Sequence, residues 1–143
     1  MKIKHLFIPT TICLFLSVSS VMANETTGLQ LMMQELNRNM QAVTDGISRE
    51  DWELVKVTAP RIASHAQPPM SERMRIASFM GTEMKRFKAL DGETHQAARE
   101  LERAADSKNG QQVVEAFGKL QMTCLNCHQT YRSRFIKHFH GAE

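Results

Sequence analysis

The chain contains few cysteine, proline, tryptophan and tyrosine residues, and no stretch has a pattern typical of a β-strand. Its 143 residues include three cysteines, four prolines, one tryptophan and one tyrosine. We find no internal repeat and no low-complexity segment, and apolar residues do not alternate with polar ones over any stretch. The absence of strand patterns excludes a thioredoxin-like βαβ setting and leaves an all-helical chain as the prediction.

Residues 1–23 have the pattern of a secretory signal peptide. Lys2 and Lys4 precede an apolar stretch, and Val21-Met22-Ala23 offers a small-residue cleavage pattern. A retained membrane anchor is the alternative, but the apolar run is too short and Pro9 interrupts it. We predict cleavage before Asn24, one domain over residues 24–143, and a periplasmic location.

Neither sign of charge dominates the remaining chain. Without residues 1–23, 16 basic residues face 15 acidic ones, so the formal net charge falls from +3 to +1. That balance gives no reason to expect nucleic acid or stable membrane association as partners. Cys13 would leave with the signal peptide, and Cys124 and Cys127 would remain. In an oxidising compartment these two thiols would otherwise pair with each other, so a covalent use of both is expected.

The remaining cysteines lie in the run Cys124-Leu125-Asn126-Cys127-His128, a C-x-x-C-H attachment motif for one c-type haem. Two thiols can add to the two haem vinyl groups, and the adjacent imidazole can bind the iron. On a helix, spacings of three and four residues put Cys124, Cys127 and His128 on one face.

Other uses of two cysteines fit the sequence less well. A zinc site needs about four ligands, and the chain has no second C-x-x-C pair. His138 and His140 are ten or more residues beyond Cys127 on the same predicted helix, so they cannot easily complete a site. A structural bundle with a disulfide or zinc at this motif remains the competing hypothesis from another class.

Apolar residues recur at steps of three and four through the rest of the chain, which predicts amphipathic helices. Five helical segments are predicted: Thr27–Asp45, Ser48–Ala66, Ser71–Leu90, Glu93–Ser107 and Gln111–His138. Gly46 and Asp91-Gly92 are predicted to end helices, Pro60 to kink the second, and Asn109-Gly110 to form a turn. The stripe of the last helix includes both Cys124 and Cys127, so the haem is expected inside a helical bundle.

A C-terminal C-x-x-C-H in an exported helical chain of this size resembles the cytochrome c′ family, the class II c-type cytochromes. The run from Cys124 to Arg132 is similar to the family's C-x-x-C-H-x-x-[YF]-R. The resemblance implies an antiparallel four-helix bundle over residues 24–143 with covalent haem near the C-terminus. Ser71–Leu90 would be an extra helical connection. The resemblance also implies a haem-proximal Arg132 and a possible homodimer.

Members of the family differ from one another in the residue that faces the iron on the side opposite the histidine. In the family this residue comes from the first helix, three positions after a glutamine. Gln30 and Met33 have that spacing, although Leu29 stands where the family has arginine. The resemblance therefore implies that Gln30 contacts the cofactor and that Met33 is the sixth ligand. Met32 is the alternative, and a methionine at helical spacing can also be core packing.

The expected function follows from that ligand. A thioether is a soft ligand, and a Met/His pair raises the reduction potential of a haem. We expect a periplasmic carrier of single electrons between redox proteins. The alternative is a five-coordinate protein that binds NO or CO. No nucleophile–base pair and no second metal constellation is visible, so an enzyme is not expected. His65 and His95 are expected to be solvated or capping residues.

Overall fold

The computed structural model describes residues 27–141, all of whose regular elements are helices. The helices are α1 (Gly28–Ser48), α2 (Trp52–Ala63), α3 (Met70–Met80), α4 (Met84–Asp106), α5 (Gly110–Cys127) and α6 (Ser133–His140). A 3₁₀ turn (Gly81–Glu83) joins α3 to α4, and a π turn (His128–Arg132) joins α5 to α6. The predicted signal peptide, residues 1–23, lies outside the described residues.

Helices α1, α2, α4 and α5 form the predicted antiparallel four-helix bundle. Two short connections, residues 49–51 and 107–109, lie at the same end of the bundle. Lys56 near the start of α2 pairs with Asp106 at the end of α4 over 2.7 Å, and Glu100 of α4 pairs with Lys119 of α5. Such pairs require α2 and α5 to run opposite to α4. The fold class is therefore confirmed.

We call the end of the bundle that carries residues 49–51 and 107–109 the closed end. Its core is aliphatic, and ten buried residues form it: Val43, Val55, Ala59, Ile62, Ala97, Ala98, Leu101, Ala105, Val113 and Leu120. Three of them, Ala97, Ala98 and Ala105, are small residues of α4 that let the neighbouring helices approach closely. Trp52 lies half-buried beside Gly110, where a Cβ atom would be 3.2 Å from the indole ring.

The boundary between the first two helices differs from the prediction. Gly46 does not end α1 but is buried inside it, and Ser48 is its last residue. A Cβ at Gly46 would lie 2.8 Å from Cγ2 of Val55, so the glycine is used for close helix packing. The N-cap of α2 is Asp51, whose carboxylate accepts a hydrogen bond from the amide of Leu54 at 3.0 Å.

The prediction that Asp91-Gly92 breaks a helix is wrong. Both residues lie inside α4, which begins at Met84. The actual break is at Gly81, whose φ of +49° ends α3 in a backbone conformation that favours glycine. The bundle helix is thus Met84–Asp106 and not Glu93–Ser107. The connection between α2 and α4 comprises residues 64–83 and includes α3.

Helix α2 is the shortest of the four bundle helices, and its end opens a cleft. It stops at Ala63 and not at Ala66, three residues after Pro60, where the hydroxyl and amide of Ser64 both donate to the Pro60 carbonyl. Helices α1 and α5 have little contact with each other, and α3 packs against α4 and α6 in the region beyond the end of α2. We call this part of the molecule the cleft end. Among residues 27–141, no helix has the length and apolarity needed to cross a membrane.

Candidate haem site

The cleft end contains two neighbouring cavities. The first has a volume of about 470 Å³ and is lined by Gln30, Met33, Cys127, His128 and Arg132, with further apolar residues. The second, of about 390 Å³, shares Met33 and Cys127 with the first. The fold thus brings five of the six predicted site residues to one cavity. Cys124 lies one turn earlier on α5, half-buried against the aliphatic core.

The last helical segment positions the C-x-x-C-H motif. It begins at Asn109, whose side-chain oxygen accepts a hydrogen bond from the amide of Gln112 at 3.1 Å. Helix α5 then runs to Cys127, and the π turn begins at His128. Single π turns inside α-helices are frequent at functional sites. Residues 111–138, predicted as one helix, are therefore helical throughout, but residues 128–132 form a π turn and not an α-helix.

Burial keeps both cysteine thiols protonated at neutral pH. It raises the pKa of Cys124, and it raises the pKa of Cys127 to about 11, with smaller contributions from Asp91 and Cys124. Reactive or metal-binding cysteines usually have a lowered pKa, because the thiolate is the nucleophile and the ligand. Neither cysteine has the lowered pKa of a reactive dithiol.

His128 is directed to the cavity in the form that can bind iron. Its partial burial lowers its pKa, and the guanidinium of Arg132 lowers the pKa further. The imidazole is therefore neutral near pH 7, and a neutral imidazole has the lone pair that coordinates a metal. Arg132 itself is exposed at the cavity wall, one turn from His128.

The first turn of α1 forms the opposite wall, and a capping box fixes it. The hydroxyl of Thr27 accepts a hydrogen bond from the Gln30 amide, and Oε1 of Gln30 accepts one from the Thr27 amide at 2.9 Å. The side-chain oxygen of Gln30 is thereby engaged in the helix terminus. The sequence did not suggest this use of Gln30.

Met32 and Met33 differ in their surroundings. Met32 is 8% exposed and lines only the second cavity, away from His128. Met33 is half-buried and lines both cavities, including the one that His128 lines. Of the two methionines, Met33 has the more direct access to the space in front of His128.

Helix α3 is tied to α1 by one carboxylate at the cleft. Oε2 of Glu72 accepts a hydrogen bond from the amide of Gly28 at 2.7 Å, and Oε1 accepts one from the amide of Leu29 at 3.0 Å. These amides belong to the first turn of a helix and have no partner within it. A negative charge at that position also interacts favourably with the helix dipole. No pattern in the sequence indicates this pairing.

Aromatic and apolar residues cover the rest of the cleft. Ile76 and Met80 of α3 pack with Tyr131 and Phe135 of the last segment. Phe87 stacks on Phe135 with ring centroids 5.6 Å apart. Further rings join this group: Phe79, His138 and Phe139. The predicted stripe of the last helix therefore continues to Phe135, whereas Met74 of α3 is 65% exposed.

The cleft fits a large, mostly apolar group with anionic substituents. Arg73 lines the second cavity, and its Nε atom is buried without a hydrogen-bond partner among the described residues. A carboxylate such as a haem propionate would satisfy that donor, because buried polar groups are normally hydrogen-bonded. Apolar walls with a few placed polar groups are typical of cofactor sites. Arg73 was missed in the sequence because its segment was assigned to a connection.

Three residues that the sequence did not single out together also meet at this end: His65, Asp91 and His95. The expectation that His65 is solvated is wrong, because its side chain is only 5% exposed. Their separation along the chain, and the assignment of Asp91 to a helix break, hid the cluster.

Comparison with known proteins gives one match. The family model described as Cytochrome C' matches residues 26–132, about three quarters of the chain. No curated protein matches the chain, and no solved structure matches it. The matched range ends at the last residue of the π turn, so α6 lies beyond it.

Proposed function

The chain belongs to the cytochrome c′ family, whose members bind covalent c-type haem, and on that premise we propose that it is a periplasmic monohaem electron carrier and not an enzyme. The haem, when bound, supplies an iron that changes between the ferric and ferrous states. Thioether bonds from Cys124 and Cys127 would attach it. His128 and Met33 would be the two residues that bind the iron.

One observation carries the assignment of the ligands. Met33 on α1 and His128 on the last segment line the same cavity, although they lie far apart in sequence. A capping box holds the first turn of α1, one turn before Met33, and His128 directly follows the last residue of α5. Fixed ligands limit the rearrangement that accompanies a change of oxidation state. A Met/His ligand pair is the arrangement of electron-transfer cytochromes with raised potential.

The other predicted residues have supporting roles. Burial lowers the pKa of His128, and the positive charge of Arg132 lowers it further. Gln30 holds the first turn of α1 through the capping box, which orients the helix that carries Met33. Arg73 offers a buried cationic donor for a propionate. The capping box engages only the side-chain oxygen of Gln30, so its NH2 group could donate a hydrogen bond to the haem, as the resemblance implies.

Other redox proteins would be the partners, meeting this chain at small transient surfaces. Family members are often homodimers, and we propose the same for this chain. Members of the family often pair through their first helices. Leu31 on α1, the first helix of this chain, is 55% exposed. The predicted export signal supports a periplasmic location for both the donor and the acceptor.

The absorption spectrum of the holoprotein tests the proposal. We expect a low-spin spectrum with sharp reduced bands that changes little on addition of carbon monoxide. Met33→Ala should convert it to a high-spin spectrum that carbon monoxide shifts, because the sixth position becomes open. Met32→Ala is the matched control and should leave the spectrum low-spin.

Two results would contradict this assignment. Conversion to high spin by Met32→Ala alone would assign the ligand to Met32. A high-spin wild-type spectrum that responds readily to the gas would favour a five-coordinate NO- or CO-binding protein, with Met33 as packing.

A further inference from the structure

Three potential metal ligands converge where α2 ends against α4. His65 follows α2 in the connection, whereas Asp91 and His95 are one turn apart on α4. The side chain of His65 is 5% exposed, that of His95 is 23% exposed, and that of Asp91 is 40% exposed. One buried histidine, one half-buried histidine and a carboxylate therefore lie side by side at the edge of the cleft.

The three candidate atoms are spaced as the ligands of one ion would be. The Nε2 atoms of His65 and His95 are 2.9 Å apart. Oδ1 of Asp91 is 3.4 Å from the first nitrogen and 3.6 Å from the second. Zinc lies roughly 2.0–2.2 Å from imidazole nitrogen and carboxylate oxygen, and a point about 2.1 Å from all three atoms exists just outside their plane.

The hydrogen bonding of the His65 ring agrees with Nε2 as its metal-binding atom. Nδ1 of His65 lies 3.2 Å from the carbonyl oxygen of Ala66, to which it can donate a hydrogen bond. That bond leaves the lone pair on Nε2, the atom that faces the cluster. Metal-binding histidines commonly donate their other ring N–H to a carbonyl or carboxylate in this way. The planes of the two rings meet at 64°.

The protonation states of two ligands also suit a cation. Burial lowers the pKa of His95, which favours neutral imidazole near pH 7. A hydrogen bond with His65 lowers the pKa of Asp91, which is therefore ionised. The same bond raises the pKa of His65, so a proton competes with the ion at that ligand. Arg99 faces His95, while Lys88 and Arg73 line the neighbouring cavity.

We propose that His65, Asp91 and His95 bind a divalent first-row transition-metal ion, with Zn²⁺ as the probe, in a three-ligand site distinct from the haem ligands. Two imidazoles and a carboxylate suit zinc, iron or copper better than magnesium or calcium. Three protein ligands leave a coordination position open to water or a small anion. The site lies beside the second cavity, whose wall includes His65, Asp91 and Cys127.

The test is a calorimetric titration of Zn²⁺ into the purified holoprotein. We expect one ion per chain for the wild type and at least about tenfold weaker binding for His95→Gln and for Asp91→Asn, because each removes a ligand. His138→Gln is the matched control and should bind zinc as the wild type does, since His138 lies on α6. The haem spectrum and thermal unfolding establish that each variant is folded. If only one of the two ligand variants folds, that variant alone is sufficient for the test.

A crystal of the zinc-loaded protein adds a direct readout. Anomalous scattering at the zinc edge should locate one ion between the three side chains. The proposal is overturned if the wild type binds no zinc, if both ligand variants bind zinc as tightly as the wild type, or if His138→Gln alone abolishes binding. It is also overturned if zinc does not bind but His95→Gln shifts the haem reduction potential, which would assign the histidines to a propionate.

Discussion

The two ends of the bundle bury different kinds of side chain. The closed end packs small aliphatic residues of four helices, and residues such as Val43, Leu101 and Leu120 have no exposed surface. The cleft end packs aromatic rings around two cavities and takes part of its wall from α3. Dense aliphatic packing stabilises the fold, whereas the looser aromatic end leaves room for a cofactor. Changes at one end should therefore affect different properties from changes at the other.

Leu101→Ala tests the closed end most severely. The side chain is fully buried, so we expect a loss of about 2–5 kcal/mol in the free energy of unfolding. Urea unfolding of the holoprotein measures it. The haem spectrum should remain that of the wild type, because Leu101 lines neither cavity. Val114→Ala on α5, at a position 54% exposed, is the control and should cost less than about 0.5 kcal/mol. A change of spin state in Leu101→Ala would break the distinction between the two ends.

Gly46→Ala tests how closely α1 and α2 approach. The added Cβ would lie 2.8 Å from Cγ2 of Val55, so the helices must separate. We expect a loss of about 1–3 kcal/mol in the free energy of unfolding. Gly118→Ala on α5 is the control, because its Cβ would meet nothing within 4 Å. Equal stability of the two variants would mean that α1 and α2 are not in tight contact.

Glu72→Ala tests the link between α3 and α1 at the cleft end. The variant leaves the amides of Gly28 and Leu29 without their acceptor, which should cost about 0.5–2 kcal/mol. Hydrogen exchange should rise in α3 and the first turn of α1 and not at the closed end. Glu93→Ala, at an exposed position on α4, should leave both exchange and stability unchanged. Uniformly faster exchange across the bundle would show that the two ends do not open separately.

Gly92→Ala has the smallest expected effect and the opposite sign. Gly92 lies inside α4, and a Cβ there would meet nothing within 4 Å. Replacing a helical glycine by alanine should stabilise the protein by about 0.5–1 kcal/mol. Thermal unfolding measures the gain. A loss of stability would mean that α4 is interrupted at this position after all.

The closed end was largely predictable from sequence, and the cleft end was predictable only in part. Apolar steps of three and four residues identified the helices because a bundle helix buries one continuous stripe. The C-x-x-C-H motif is a local signal, and it identified Cys127 and His128. The resemblance to the cytochrome c′ family added Gln30, Met33 and Arg132, and all five residues line one cavity.

The errors arose where tertiary packing overrides local preference. Asp91 and Gly92 resemble a helix break. Helix α4 nevertheless continues through them, because the residues before and after this pair are packed against other helices. Glu72 and His65 carry no local signal for their roles, since their partners lie 44 and 30 residues away. Only the fold brings such pairs together.

The two short turns at the closed end also have a consequence for the order of folding. Residues 49–51 and 107–109 join helices that are neighbours in sequence, and contacts of low sequence separation form fast because little chain entropy is lost. The cleft instead needs the first turn of α1 to meet the end of α5, almost the full length of the described chain away. We therefore expect the closed end to form first. The cysteines would then be offered for haem attachment on a helix that is already anchored, while the cleft is still open.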